Sequence, residues 1–179
     1  MLQQNRNGQH SRVHKIARNL LLAALIAVLL VIAFYFSYPL KKTQAPEISF
    51  SMLDGTRMSL SSMRGQPVLV NYWATTCAPC RKEIPDLAKL HREFEPRGVR
   101  FIGVSMSYDR PDQVIAFKQQ YQIPYALSMD LDNVISRAFA VQAIPLTLLI
   151  SRSGQIVHKQ HGVIEVSEIR ARLAAMLAE

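Results

Sequence analysis

Apolar positions change their period several times along this chain, and each change marks an element. Leu20 to Phe36 is apolar throughout, without a charge, Pro or Gly. As a helix it spans roughly 25 Å at 1.5 Å per residue, and Ser37 and Tyr38 bring it close to the hydrocarbon thickness of ~30 Å. Further on, Ile48–Leu53 and Thr56–Leu60 flank Asp54-Gly55, which predicts a hairpin. Pro67–Trp73 is a continuous apolar run, as expected of a strand buried on both faces. Ala78 to about Glu95 predicts a helix, with Leu87, Leu90, His91 and Phe94 on one stripe, Pro85 as a kink and Gly98 as the stop. Val99–Ser105 predicts a second buried strand. Asp112 caps a helix to about Tyr121, and Val134–Phe139 is a short helix. Leu146–Ile150 and Ile156–His161 predict strands about the Ser153-Gly154 turn. Ser167 caps a last helix with Ile169, Leu173 and Leu177 on its stripe. Strands alternating with helices, closed by a hairpin and a helix, predict an α/β domain with helices on both faces of a mixed sheet.

Charge changes the picture at the N-terminus. The 179 residues carry a net charge of +8, but residues 1–46 hold Arg6, Arg12, Lys15, Arg18, Lys41 and Lys42 and no acid. The remaining chain holds 15 basic and 13 acidic residues. A nucleic-acid protein carries its excess on the folded domain, so no nucleic-acid partner is expected. Four Lys/Arg precede the apolar run and two follow it. The positive-inside bias then predicts a cytoplasmic N-terminus over 1–19, a single transmembrane signal-anchor helix over 20–38, a tether over 39–46 and a folded domain over 47–179 outside the cytoplasmic membrane. The run exceeds the h-region of a cleaved signal peptide. Thr43-Gln44-Ala45 is a poor cleavage site because Pro46 follows it.

The chemistry lies in the two cysteines. Trp73-Ala74-Thr75-Thr76-Cys77-Ala78-Pro79-Cys80-Arg81-Lys82-Glu83 places a Cys-x-x-Cys where a buried strand ends and a helix begins. Free N–H groups and the dipole at a helix N-terminus stabilise an anion. Cys77 at that turn is therefore the expected thiolate nucleophile, and Cys80, one turn in, is able to resolve a mixed disulfide. A purely structural disulfide gains little from so short a loop. A zinc site needs four ligands, and His158 and His161, three apart on a strand, point to opposite faces. Two unrelated thiols at this spacing are a third alternative. No metal is expected.

Trp73-x-x-x-Cys77-x-Pro79-Cys80-Arg81-x-Glu83-x-Pro85 resembles the active-site segment of the TlpA/ResA-like thiol-disulfide oxidoreductases, membrane-anchored proteins of the thioredoxin family. The resemblance covers about residues 46–178. It implies a thioredoxin-like fold, a central mixed sheet flanked by helices, here with an N-terminal β-hairpin extension. It implies no cofactor beyond the redox-active Cys77–Cys80 disulfide. Val141-Gln142-Ala143-Ile144-Pro145 is the second matching element. In the family a cis proline at this place lies beside the Cys-x-x-Cys, so Ile144 and Pro145 are expected to receive an extended substrate peptide. Cytosolic thioredoxins carry a buried Asp six positions before the first Cys, where this chain has Asn71. The ResA-like group uses a Glu three residues after the second Cys, which Glu83 matches. Its expected role is to relay the Cys80 proton. Trp73, expected to pack under the active site or simply to be core, and Thr76 are the remaining candidates for substrate contact. Thr76 and Ala143 depart from the Trp and Gly common at those places in the family. The implied partners are disulfide-bonded exported proteins and a membrane thiol electron donor. A dithiol reductase is the leading reading. An oxidase or isomerase, or a non-enzymatic copper- or zinc-handling domain, are its alternatives.

Overall fold

The computed structural model describes residues 19–22, 24–31 and 43–178. The chain forms two compact units, Met1–Lys41 and Lys42–Glu179. In the first, residues 19–22 and 24–31 are helical and exposed. The expected anchor over 20–38 falls partly on residue 23 and residues 32–38, outside the described residues. The same holds for residues 1–18 and for residues 39–42 of the tether. Among the described residues, no helix is long and apolar enough to cross a membrane.

In the second unit the strands are β1 (Thr43–Gln44), β2 (Ser49–Ser51), β3 (Arg57–Ser59), β4 (Val68–Trp73), β5 (Arg100–Ser105), β6 (Ala126–Met129), β7 (Leu146–Ile150) and β8 (Gln155–His161). The helices are α1 (Ala78–Phe94), α2 (Pro111–Gln120), α3 (Val134–Ala138) and α4 (Val166–Ala178). Six strands make one sheet in the order β1-β8-β7-β4-β5-β6. β4 pairs parallel with β5 and β5 with β6, whereas β4–β7, β7–β8 and β8–β1 are antiparallel. β2 and β3 pair separately, Phe50 opposite Met58. The fold is thioredoxin-like, with a central mixed sheet.

β4 explains the layering. All six of its residues are buried, and successive side chains face opposite ways. Leu69 and Trp73 join a core with Ile84, Leu87, Leu90 and Phe94 of α1, Phe117 of α2 and Leu173 of α4. Val68, Val70 and Tyr72 join another with Phe50, Leu60, Ile135 and Phe139. Asn71 shares the α1 face with Leu69 and Trp73.

Three boundaries and one strand stand out against the sequence expectation. Thr43 and Gln44 pair with β8, and Ala45 is buried, so the sheet takes in residues assigned to the tether. Pro111, not the residue after Asp112, opens α2, because a first helical position has no use for the N–H that proline lacks. Ser167 lies inside the first turn of α4, which opens at Val166. β6 was not foreseen: only four residues long, with Pro124 just before it, it carries too little periodicity to register.

Candidate active site

β4 ends at Trp73, and the chain turns through residues 74–76 into α1. Asp109 fixes that turn. Its two carboxylate oxygens accept from Thr75 N–H and Thr75 Oγ1, each at 2.8 Å. Arg81 Nη1 donates to Thr75 O at 3.2 Å. Cys77 is the N-cap of α1, and its Sγ accepts from Cys80 N–H at 3.2 Å. Pro79 has no N–H to offer, so Cys80 N–H is the first-turn amide aimed at the sulfur. Cys77 is half-buried and Cys80 is 1% exposed. The two are joined as a disulfide, with Cα atoms 5.3 Å apart.

One turn along α1 from Cys80 lies Glu83, itself 1% exposed. Residues three apart on a helix are neighbours on one face. Its Oε1 accepts from Asn71 Nδ2 at 2.8 Å and its Oε2 from Ile164 N–H at 3.0 Å. Burial pushes the Glu83 carboxyl above the usual range, while the Asn71 and Ile164 bonds pull against that shift. Asn71 Nδ2 also donates to Thr147 Oγ1 at 3.1 Å, its cross-strand partner on β7. The Tyr125 phenol is pushed upward, first by its own burial and then by the Glu83 charge.

The Ile144-Pro145 bond is cis and immediately precedes β7. Cys77 and Ile144 both pack, partly exposed, against the core that contains Cys80. A half-exposed sulfur at a helix N-terminus, a buried second sulfur and a buried carboxyl behind it are the parts of a thiol-disulfide exchange site.

Comparison with known proteins agrees. Residues 42–159 match the AhpC/TSA family. The chain belongs to that family. It is 30% identical over 127 residues to the thiol-disulfide oxidoreductase ResA of Bacillus subtilis (strain 168), covering 71% of this chain and 70% of that one. Identity is also 30% over 131 residues to the thioredoxin-like protein YneN of the same organism, with 73% and 76% covered. A thioredoxin-family thiol:disulfide interchange protein from Chlorobium tepidum TLS superposes with a TM-score of 0.70 at 27% identity, over 78% of this chain and 99% of that one. This AhpC/TSA-family chain is a thiol-disulfide oxidoreductase.

The structure brings most of the candidate residues of the enzyme together and moves one inward. Thr76 is exposed beside Cys77, Ile144 is half-buried and Pro145 is buried. Trp73, expected to pack under the site and also a candidate for substrate contact, is only 2% exposed and stacks on Phe117 at 4.7 Å between ring centroids. Its ring is core beneath the site, because the face it occupies on β4 is the one α1 and α2 cover. His91 is a helix-face residue against Phe101 and Tyr125. His158 lies 4.0 Å from Glu168, and no group of three or more His, Cys, Asp or Glu that could hold a metal ion occurs among the described residues. Asp109, Thr147 and the Ile164 amide were missed from the sequence. Each is far along the chain from the residue it serves: β4–β7 pairing places Thr147, and tertiary contacts of loop residues place Asp109 and Ile164.

Proposed function

We propose that this enzyme is a dithiol reductase of disulfides in exported proteins, held on the outer face of the cytoplasmic membrane by residues 20–38. The observation that carries the chemistry is the asymmetric pair: Cys77 caps α1 at the surface, while Cys80 is buried one turn from Glu83. In the reduced enzyme the Cys77 thiolate attacks a substrate disulfide and releases one substrate thiolate, which takes a proton from solvent. The Cys80 thiol passes its proton to Glu83, and the Cys80 thiolate attacks Cys77 Sγ. The Cys77–Cys80 disulfide forms, and the second substrate sulfur leaves and is protonated. The peptide lies across Ile144 and Pro145, with Thr76 at the rim. A membrane thiol donor returns two electrons and two protons. The basic N-terminal segment and the apolar run that follows support the anchor and the direction of insertion.

Glu83 supports the direction of electron flow. A reduced form with an easily made thiolate is an oxidant. The α1 N-terminus favours the Cys77 thiolate, but burial of Cys80 beside an acidic group disfavours a second anion. The reduced form thus gains one stabilised thiolate and not two, which limits how oxidising the pair becomes and supports the reductase reading. Glu83 also needs a partner that tolerates its proton. Ile164 N–H can only donate. Asn71 can turn its amide so that Oδ1 accepts from a protonated Oε1 and from Thr147 Oγ1. The proton therefore belongs on Oε1.

The test is the reduction potential of the Cys77/Cys80 pair in the full chain. A value near or below that of thioredoxin, about −270 mV, is expected. A value above roughly −180 mV overturns the direction and makes the enzyme an oxidase or isomerase.

A further inference from the structure

A pocket of about 520 Å³, largely open to solvent, lies at the carboxyl end of the parallel strands, the end from which the chain runs on to Cys77. Met106 lines it where the chain leaves β5, Asn133, Arg137 and Ala140 line it from α3 and its flanks, and Gln142 lines it from the segment entering the cis bond. Two links tie it to the redox centre. Met106 N–H donates to Trp73 O at 3.0 Å, four residues before Cys77. Gln142 stands two residues before Ile144. Because β4 and β5 run parallel, their carboxyl ends lie side by side, and in open α/β sheets ligands bind at that end.

We propose that this cavity is a substrate subsite for an acidic side chain, Asp or Glu, two or three residues from the attacked cysteine, with Arg137 as its counter-charge. The proposal rests on the reading of the enzyme as a reductase of protein disulfides. Arg137 is the one charged side chain in the described lining. It is exposed, spends Nη2 on Asp132 O at 2.7 Å and makes no ion pair among the described residues. The buried carboxylates on this side are already committed. Asp130 accepts from Ile135 N–H and Ser136 N–H at 2.9 and 2.7 Å, and Asp109 is spent on Thr75. Neither neutralises the guanidinium.

The walls are held in shape. Asp130 satisfies the first amides of α3, so the helix that carries Arg137 is fixed from inside the protein. Ser107 Oγ donates to Asn133 Oδ1 at 2.6 Å, tying the β5 exit to α3. Asn133 and Ala140, just before and after α3, have φ of 55° and 50°. Left-handed backbone at an alanine gains nothing locally, and such residues persist where the surroundings impose them, often around ligand clamps. A positive side chain on a braced wall, with Asn133 and Gln142 in the same lining, suits a carboxylate.

The experiment uses the reduced full chain and pairs of cystine peptides that differ only by Asp or Lys at two or three residues from the attacked cysteine, on either side. The readout is the ratio of second-order rate constants for Asp over Lys within each protein. An advantage of about three- to tenfold at one position is expected, the range of a charge pair at a partly enclosed surface, shrinking as salt is raised. Arg137→Lys keeps the ratio, Arg137→Ala levels it and Arg137→Glu inverts it. A wild-type ratio of one at every position, or a ratio untouched by Arg137→Glu, overturns the subsite and leaves the reductase reading standing. If the reduced wild type reacts with none of the peptides, the reductase reading falls first and the subsite with it.

Discussion

Cys77 and Cys80 are one helical turn apart and live in different media. Cys77 is half-exposed, and its sulfur faces the Cys80 amide at the positive end of α1. Cys80 is sealed in the core with Ile84 and Leu87. At the first site an anion is cheap, because backbone dipoles already point at it. At the second an anion is costly, because burial strips its solvation. The difference separates attack from resolution. The exposed sulfur needs no base, whereas the buried one needs a base that is buried with it, and the carboxyl one turn further along α1 is Glu83.

The largest effect tests that separation directly. Cys80→Ser is expected to cut turnover by about 1,000-fold, because the covalent intermediate on Cys77 has no resolving thiol. A mixed disulfide at Cys77 should accumulate, visible as the added peptide mass on the intact protein. Normal turnover in this variant would mean that the buried cysteine does not resolve.

Glu83→Gln comes next. A positioned base contributes typically 10²-fold or more, so the resolving step, followed by single turnover from a trapped mixed disulfide, should slow about 100-fold near neutral pH. Its rate should also lose the pH dependence of a carboxyl. Attack by Cys77, measured separately, should change far less. The same variant has a signature in stability. The folded carboxyl holds its proton to higher pH than the unfolded one. The native state thus binds more protons between the two values, and wild-type stability falls as pH rises from the ordinary carboxyl range through the raised one. Glu83→Gln should flatten that slope in denaturant titrations. Tyr125, the phenol that feels the Glu83 charge, titrates far above this window and leaves it clean. A slope unchanged by the substitution would show that Glu83 titrates normally.

Much of this asymmetry was legible in the sequence, and the reason is local. A continuous apolar run ending at Trp73 and a helical stripe beginning near Ala78 put Cys77 at a strand-to-helix junction before any contact is known. Pro145 was legible through family resemblance. Glu83 was readable as a residue but not as an environment: its burial depends on Ile164 N–H, 81 residues away, and on Asn71, whose placement beside Thr147 is a consequence of register. Trp73 is the reverse case. The continuous apolar run of β4 spoke for burial on both faces, and its 2% exposure under α1 and α2 answers that expectation, leaving no surface for the substrate contact also assigned to it. Asp109, 34 residues from Thr75, left no local signal at all.

Asp109 offers a smaller test of the exposed half. It accepts from Thr75 N–H and Thr75 Oγ1 at once, while Asp109 itself is 4% exposed. Asp109→Ala leaves those donors without an acceptor and should cost about 1–3 kcal/mol in denaturant unfolding. Because the clamp holds the turn that leads into Cys77, the attack step should weaken while resolution within an already formed mixed disulfide stays near wild type. Equal losses in both steps would mean that the two halves of the site are mechanically one.

The smallest expected effect lies at the rim. Thr76 is next to Cys77 and exposed, three residues past a tryptophan that is almost wholly buried. Thr76→Ala removes a hydroxyl already in water, so stability should move by no more than about 0.5 kcal/mol. The capping of α1 by Cys77 is made by backbone and sulfur and does not pass through this side chain, so the potential of the disulfide should hold as well. What remains is contact with substrate. A change confined to KM for peptide disulfides, with an unaltered potential, would place Thr76 on the binding surface. A shift in potential would instead show that the rim tunes the sulfur, and the division between an exposed binding half and a buried proton-handling half would have to be redrawn.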